Sequence, residues 1–142
     1  MISQLVKNEQ QLQDAYSVRK KVFVEEQKVP LELELDEFEE SSHHFVIYEG
    51  STPIGAGRFR ILGNVGKVER ICVLHNFRGR GIGELMMDSI HSFASEQDTI
   101  QTLRLHAQVQ AIGFYEQLGY KIVSDEFLDA GIPHRTMEKP VS

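Results

Sequence analysis

The chain is poor in the residues that mark the more specialised protein classes. It has one cysteine, Cys72, no tryptophan and four prolines among 142 residues. A lone cysteine excludes an internal disulfide and a Cys-rich zinc site, and it fits a reducing compartment. No apolar run approaches the roughly 18 to 20 residues that span a bilayer. The opening residues, Met1 to Lys7, lack the charged, then apolar, then small-residue order of a secretion signal. The expectation is a cytoplasmic protein with no membrane partner. Positive charge is also short: 15 Lys and Arg stand against 21 Asp and Glu, a net −6. Binding of nucleic acid relies on neutralising phosphates, so nucleic acid is not expected as the main partner. The histidines show no H-x-x-x-H pattern or His–carboxylate ligand spacing, and no metal is expected.

What is present fits one soluble domain. The length suits a single core, so residues 1–142 read as one unit. Hydrophobic residues at 41% and charged residues at 25% are ordinary for a globular protein. The acids, however, cluster: Glu25, Glu26, Glu32, Glu34, Asp36, Glu37, Glu39 and Glu40 are accompanied only by Lys28. Such a run serves either as a solubilising surface or as a substrate-side loop favouring a cationic amine.

Periodicity sorts the chain into elements. Ile2 to Val6 suits a short strand. Leu12, Ala15, Tyr16, Arg19, Val22 and Phe23 fall near one face of a helix starting about Asn8. Pro30 and the acids after it end that helix in an irregular excursion. Phe45 to Tyr48, Ile54 to Leu62 and Lys67 to Leu74 read as strands separated by turns at Gly50–Pro53 and Gly63–Asn64. Ile82, Leu85, Met86, Ser89, Ile90, Phe93 and Ala94 form a core-facing helical stripe. Thr102 to Ala107 alternates as a strand, Val109 to Leu118 is a short helix stopped by Gly119, and Tyr120–Val123 and His134–Glu138 are final strands. The pattern implies a mixed sheet with helices packed on it, in the α/β class.

Between the third of those strands and the long helix lies Asn76-Phe77-Arg78-Gly79-Arg80-Gly81-Ile82-Gly83. Glycines at alternate positions remove side chains, so backbone N–H groups can converge on an anion beside a helix N-terminus. Arg78 and Arg80 add positive charge, a combination suited to a pyrophosphate. The spacing is G-x-G-x-G, which departs from the dinucleotide pattern G-x-G-x-x-G, and no Gly-Lys-Ser or Gly-Lys-Thr supplies a nucleotide P-loop.

Arg78-Gly79-Arg80-Gly81-Ile82-Gly83 resembles the R/Q-x-x-G-x-G/A acyl-coenzyme A loop of the GNAT acetyltransferase superfamily. Ala111-Ile112-Gly113-Phe114-Tyr115-Glu116-Gln117-Leu118-Gly119-Tyr120 resembles its A-x-x-F-Y-x-x-x-G-F/Y motif. Arg19-Lys20-Lys21-Val22-Phe23-Val24-Glu25-Glu26-Gln27 is similar to the R-x-x-V-F-x-x-E-Q signature of a small bacterial branch. The resemblance implies a mixed, mostly antiparallel sheet flanked by helices, and acetyl transfer from acetyl-coenzyme A to a primary amine of a small molecule or protein. Direct attack in a ternary complex is the simplest mechanism. An acyl-coenzyme A sensor without turnover, or a longer acyl chain as in the related signalling-lactone synthases, stays open. Dimers are common in the superfamily, so a homodimer is a further option.

The resemblance also implies roles. Ile71, Cys72 and Val73 offer backbone groups to the pantetheine arm, with the Val73 N–H polarising the thioester carbonyl. Arg78, Gly79, Arg80, Gly81, Ile82 and Gly83 hold the pyrophosphate. Gln108 stands where many members carry an asparagine that contacts pantetheine. Tyr115 is the expected proton donor to the departing thiolate. Glu69 is the first candidate for general base, with His43, His44, His106 and His134 as alternatives. Cys72 itself reads as a small buried hydrophobe rather than a nucleophile.

Overall fold

A computed structural model describes residues 1–142. Strand β1 is Ile2–Leu5, and α1 is Glu9–Arg19, capped by Asn8, whose side chain accepts from the Gln11 amide. The helix does not stop at Arg19 but loosens into a π-helical stretch, Lys20–Glu26, in which the Gln27 amide reaches back five residues to Val22. A single turn of helix, α2 (Leu31–Glu34), occupies the acidic excursion. Then come β2 (His43–Glu49), β3 (Thr52–Leu62), β4 (Val65–Val73), α3 (Ile82–Ser95), β5 (Thr102–Gln108) and α4 (Ile112–Gln117). Strands β6 (Lys121–Ile122), β7 (Phe127–Asp129) and β8 (Ile132–Pro140) complete the chain. The pattern did not indicate β7, which at three residues is too short to show alternation.

The strands form one sheet ordered β1-β2-β3-β4-β5-β8-β6, with β7 paired to β8. Only β4 and β5 run parallel; every other pairing is antiparallel. One face of the sheet carries the main core, where Phe45, Ile54, Phe59, Val68, Leu103 and Leu105 meet Ile82, Met86, Met87 and Ile90 of α3. The opposite face packs Val46, Ala56 and Cys72 against Ala15, Val18 and Val22. Alternation puts Arg58, Arg60, Lys67 and Glu69 on that second face as well, because their neighbours Phe59 and Val68 point to the main core.

Strand β4 is bulged. Ala56 pairs with Cys72 and Arg58 with Glu69, so Gly57 alone faces both Arg70 and Ile71. Arg70 takes the left-handed conformation at φ 58°, which costs a non-glycine residue on the order of 1–3 kcal/mol. Its guanidinium offsets that strain by donating to the Leu33 and Glu34 carbonyls and to Asp36. At Gly57 a β-carbon would lie 2.9 Å from Ile71 Cδ1 and 3.0 Å from Met86 Sδ, so any larger residue would have to push those side-chain ends aside where the bulge meets α3. The extra residue turns Cys72 onto the α1 face and Ile71 and Val73 toward α3.

Candidate active site

The parallel pairing of β4 with β5 runs only from Val65↔Thr102 to Val68↔Leu105. Beyond it the strands part, and a cavity of about 720 Å³ opens between Glu69–Val73 on one side and Leu105–Gln108 on the other. Val73 sits opposite Gly55, one residue from the Leu74 amide that donates to the Ile54 carbonyl. By antiparallel alternation its own N–H and C=O point away from β3, into the split. The carbonyl accepts from Arg78 Nε at 3.0 Å. The N–H is left facing the cavity.

A second cavity of about 390 Å³ adjoins, lined by Val73, Phe77, Arg78, Gly79, Gly81, Ile82, Gly83, Glu84 and Phe114. Gly79 and Gly81 have φ of 80° and 78°, which turn the loop tightly into α3. Gly81 is the N-cap of α3 and provides no side-chain cap. The amides of residues 79–84 find no acceptor in the protein, and five of the six residues, all but Arg80, line this hollow at the positive end of α3. Gly83 differs from the other two: a β-carbon there would approach Phe114 Cζ to 3.2 Å. Its main use is close packing of the loop's helix on α4, which joins the two sequence motifs physically.

The arrangement is that of a known family: the chain matches the acetyltransferase (GNAT) domain over residues 6–141. The chain belongs to the GNAT acetyltransferase family. An uncharacterized N-acetyltransferase of Bacillus subtilis, YjcF, is 48% identical over 136 residues, covering 95% of this chain and 96% of that protein. Two solved structures share the fold: an acyl-CoA N-acyltransferase from Pseudomonas aeruginosa (TM-score 0.87, 22% identity, 97% and 98% of the two chains) and an aminoglycoside 6'-N-acetyltransferase complexed with coenzyme A (TM-score 0.80, 15% identity, 100% and 98%). Family membership implies acyl-coenzyme A-dependent N-acetyl transfer, with acetyl-coenzyme A as co-substrate. The unbonded amides at the start of α3 and the hollow before them fit its pyrophosphate.

In this GNAT domain the predicted residues fall in three groups. Val73, Arg78, Gly79, Gly81, Ile82 and Gly83 line the smaller cavity, and Ile71, Cys72, Val73, Gln108 and Tyr115 line the larger. Arg80 stays outside both, half-exposed, with its guanidinium over the Phe77 ring. Arg78 is not the free rim charge that the sequence suggests, since Nη1 and Nη2 make a bidentate pair with Glu26 at 2.7 and 2.8 Å. The Cys72 thiol is buried and pushed up to about 12, so it stays protonated and inert. Tyr115 is nearly buried, and its hydroxyl has no protein partner. Burial also raises its pKa, which keeps it in the donor form at any working pH.

Glu69 lines the larger cavity, but three cations hold it. Oε1 accepts from Arg58 Nε and Nη2 and from Arg60 Nε, at 2.8–3.0 Å, while Oε2 lies 3.1 Å from Lys67 Nζ. Burial would raise its pKa, yet the charges of Arg58, Lys67 and Arg60 outweigh that and lower it. A carboxylate in that state is a weak proton acceptor. Of the histidines, His43 packs on Phe93 and His44 donates to the Glu39 carbonyl, both away from the cavity. His106 and His134 face it. His134 Nδ1 lies 2.6 Å from the Ile132 carbonyl, and a carbonyl only accepts, so Nδ1 carries the proton and Nε2 the lone pair. Nε2 has no partner in the protein. In His106, burial lowers the pKa, and Nδ1 is taken by Thr136 Oγ1 at 2.9 Å.

The N-terminal signature proves to be the roof of this site. Arg19 is fully buried and grips Glu34 (2.7 Å) and Glu39 (2.8 Å through each terminal nitrogen). Val22 and Phe23 line the cavity, Glu26 holds Arg78, and Gln27 accepts from Gln108 Nε2 at 2.8 Å. The acidic excursion is not an open anionic surface. Arg19, Arg58 and Arg70 neutralise Glu34, Asp36 and Glu39, leaving Glu32 and Glu37 exposed to solvent. Sequence reading did not reach Arg58 or Arg60. The only hint was the Arg58-Phe59-Arg60 alternation, which puts two arginines on one face of a well-buried strand.

Proposed function

We propose that this chain transfers an acetyl group from acetyl-coenzyme A to a primary amine by direct attack in a ternary complex. The observation that carries this is the split between β4 and β5, where the Val73 N–H, the unpartnered Tyr115 hydroxyl and His134 border one cavity continuous in lining with the glycine loop. Residues 79–84 bind the pyrophosphate through their amides, with Arg78 at the edge. Ile71, Cys72, Val73 and Gln108 hold the pantetheine arm. An amine of pKa near ~10.4 arrives protonated. His134 Nε2 accepts its proton, directly or through one water, in the role that Glu69 fills poorly while three cations hold it. The neutral nitrogen attacks the thioester carbon, the C–N bond forms, and the Val73 N–H stabilises charge on the carbonyl oxygen. As the C–S bond breaks, the Tyr115 hydroxyl donates to the departing sulfur, and the second amine proton balances the thiol that leaves. Residues 1–142 act as a single domain in this reading.

The test is thiol release from acetyl-coenzyme A across a panel of amines, with acetyl-coenzyme A binding measured by calorimetry. Turnover that falls in Tyr115→Phe and His134→Gln, with binding retained, supports the reading. Tight binding with no thiol release from any amine would favour a sensor instead.

A further inference from the structure

The acceptor end of the larger cavity has cationic donors that nothing in the protein satisfies. Arg60 uses only Nε, toward Glu69; its two terminal nitrogens have no partner, while the guanidinium is held 3.9 Å over the Phe38 ring. Lys67 has one contact, Glu69 at 3.1 Å. Both side chains line the cavity and are only 12% and 18% exposed, so the remaining N–H groups are available to a ligand there. Arg60 and Lys67 are register partners on adjacent strands, which puts the two charges side by side on one sheet face. Within the surrounding network five cations (Arg19, Arg58, Arg60, Lys67 and Arg70) meet four carboxylates (Glu34, Asp36, Glu39 and Glu69), leaving one positive charge unmatched. Asp129 also lines the cavity from the exposed strand β7 and has no ion pair. Counting Asp129 makes the cavity neutral as a whole, so the unused donors of Arg60 and Lys67 suit a single negative charge better than a dianionic phosphate.

We propose that Arg60 and Lys67 bind a carboxylate of the acceptor, so that the substrate is an aminocarboxylic acid with its amine and carboxylate at opposite ends of a chain. The length follows from the strand. Lys67 and Val73 are six residues apart with one bulge residue between, about 17 Å of backbone at ~3.3 Å per residue. Lys67 Nζ lies 3.1 Å from Glu69 Oε2, two residues or roughly 6 Å along the strand, which leaves about 10 Å between the attacked carbon and the carboxylate. An amine and a carboxylate joined by about six bonds, as in the ε-amine of a free lysine, fill that distance; a free α-amine next to its own carboxylate does not. The amine half rests on the acetyl-transfer reading above, whereas the carboxylate half does not.

The experiment compares ω-amino acids from 4-aminobutyrate to 8-aminooctanoate, and free lysine, with alkylamines and diamines of matched length. Thiol release is measured for each, together with calorimetric titration of the same compounds into protein loaded with coenzyme A. The expected result is a maximum in kcat/KM at intermediate length, at least about tenfold above the matched alkylamine and diamine, as a charge-assisted bond to carboxylate implies. In Arg60→Met combined with Lys67→Met that preference should fall to about unity through KM, while coenzyme A affinity reports that the fold persists. Lys67→Gln alone, which keeps the Arg60 stack, should lose part of it. Equal or better use of the alkylamine or diamine by the wild type overturns the proposal, with no variant needed. Aminocarboxylates that bind without thiol release would uphold the carboxylate site and remove the transfer reading. Thiol release with no preference for the acid would do the reverse.

Discussion

The two ends of the site are made of different material. At the α3 end the groups free to meet a ligand are unbonded backbone amides, supplied by one loop whose glycines keep side chains out of the way. At the acceptor end they are side chains from the excursion, β3, β4, β5 and β8, fixed by ion pairs and by one arginine–aromatic stack. The backbone end can serve any coenzyme A thioester, because a phosphate needs only donors and a helix dipole. The side-chain end depends on residues far apart in the chain, and its charges are held at short range in a partly buried place. The contrast teaches where tolerance lies: substitutions at the loop act on co-substrate affinity, whereas those beyond Val73 act on folding and acceptor choice together.

The largest test of that contrast is Arg19→Met, which takes from Glu34 and Glu39 their fully buried partner, leaving Glu34 only the longer contact to Arg70 and Glu39 only Arg58, and should cost about 3 kcal/mol in urea unfolding. A loss under 1 kcal/mol would show that the excursion is not anchored from below. Next, Tyr115→Phe should reduce kcat by on the order of 100-fold with little change in acetyl-coenzyme A affinity; equal activity would remove the hydroxyl from the chemistry. Gly81→Glu puts a side chain at φ 78° and a negative charge among the free amides. Its affinity for coenzyme A should weaken by at least about tenfold, from roughly 1–2 kcal/mol of backbone strain together with repulsion.

Acid should act on the side-chain end. Burial would raise the Asp36 carboxyl, but hydrogen bonds from Arg58 and the Phe38 amide hold it at about 2, against an ordinary 3.8. Glu39 is likewise lowered, burial being outweighed by Arg19. Groups depressed on folding contribute stability that is complete above their unfolded values and lost as pH falls through the folded ones. The melting temperature should therefore stay level above about pH 5 and fall between about pH 4 and pH 2. Asp36→Asn should flatten part of that fall. The smallest effect belongs to Glu26→Gln. The Glu26–Arg78 pair is 39% exposed on each side, so its loss should change stability by less than about 1 kcal/mol. It frees Arg78, so coenzyme A affinity should hold or rise slightly; a marked fall would mean that Glu26 positions Arg78 for the phosphates.

Much of the fold was legible because it depends on local pattern. The α3 stripe, the strand alternation and the Gly119 stop each appear where their periodicity and chemistry put them, with boundaries moved by one or two residues. The π-helical stretch after Arg19 was not legible, because a five-residue hydrogen-bond step leaves no distinct apolar period in seven residues. The bulge at Arg70 was hidden for a related reason. The bulged residue is itself not a glycine, and its left-handed backbone is held by carbonyls 36 and 37 residues earlier in the chain.

The site divides along the same line. The glycine loop and the Phe114–Tyr115 pair are short contiguous motifs, and their meaning survives without knowing what lies beside them. From the sequence alone came the family, the co-substrate that the family implies, the α/β class and the strand-to-helix junction proposed for the phosphates. Only the tertiary structure could show that the acids of residues 34–39 are neutralised by Arg19, Arg58 and Arg70, or that Glu69 is surrounded by cations while His134 keeps a free nitrogen. The physical reason is range. A backbone anion site is written in consecutive residues, whereas the charge and proton affinity of a side chain are set by neighbours that only sheet register and packing bring within a few ångströms.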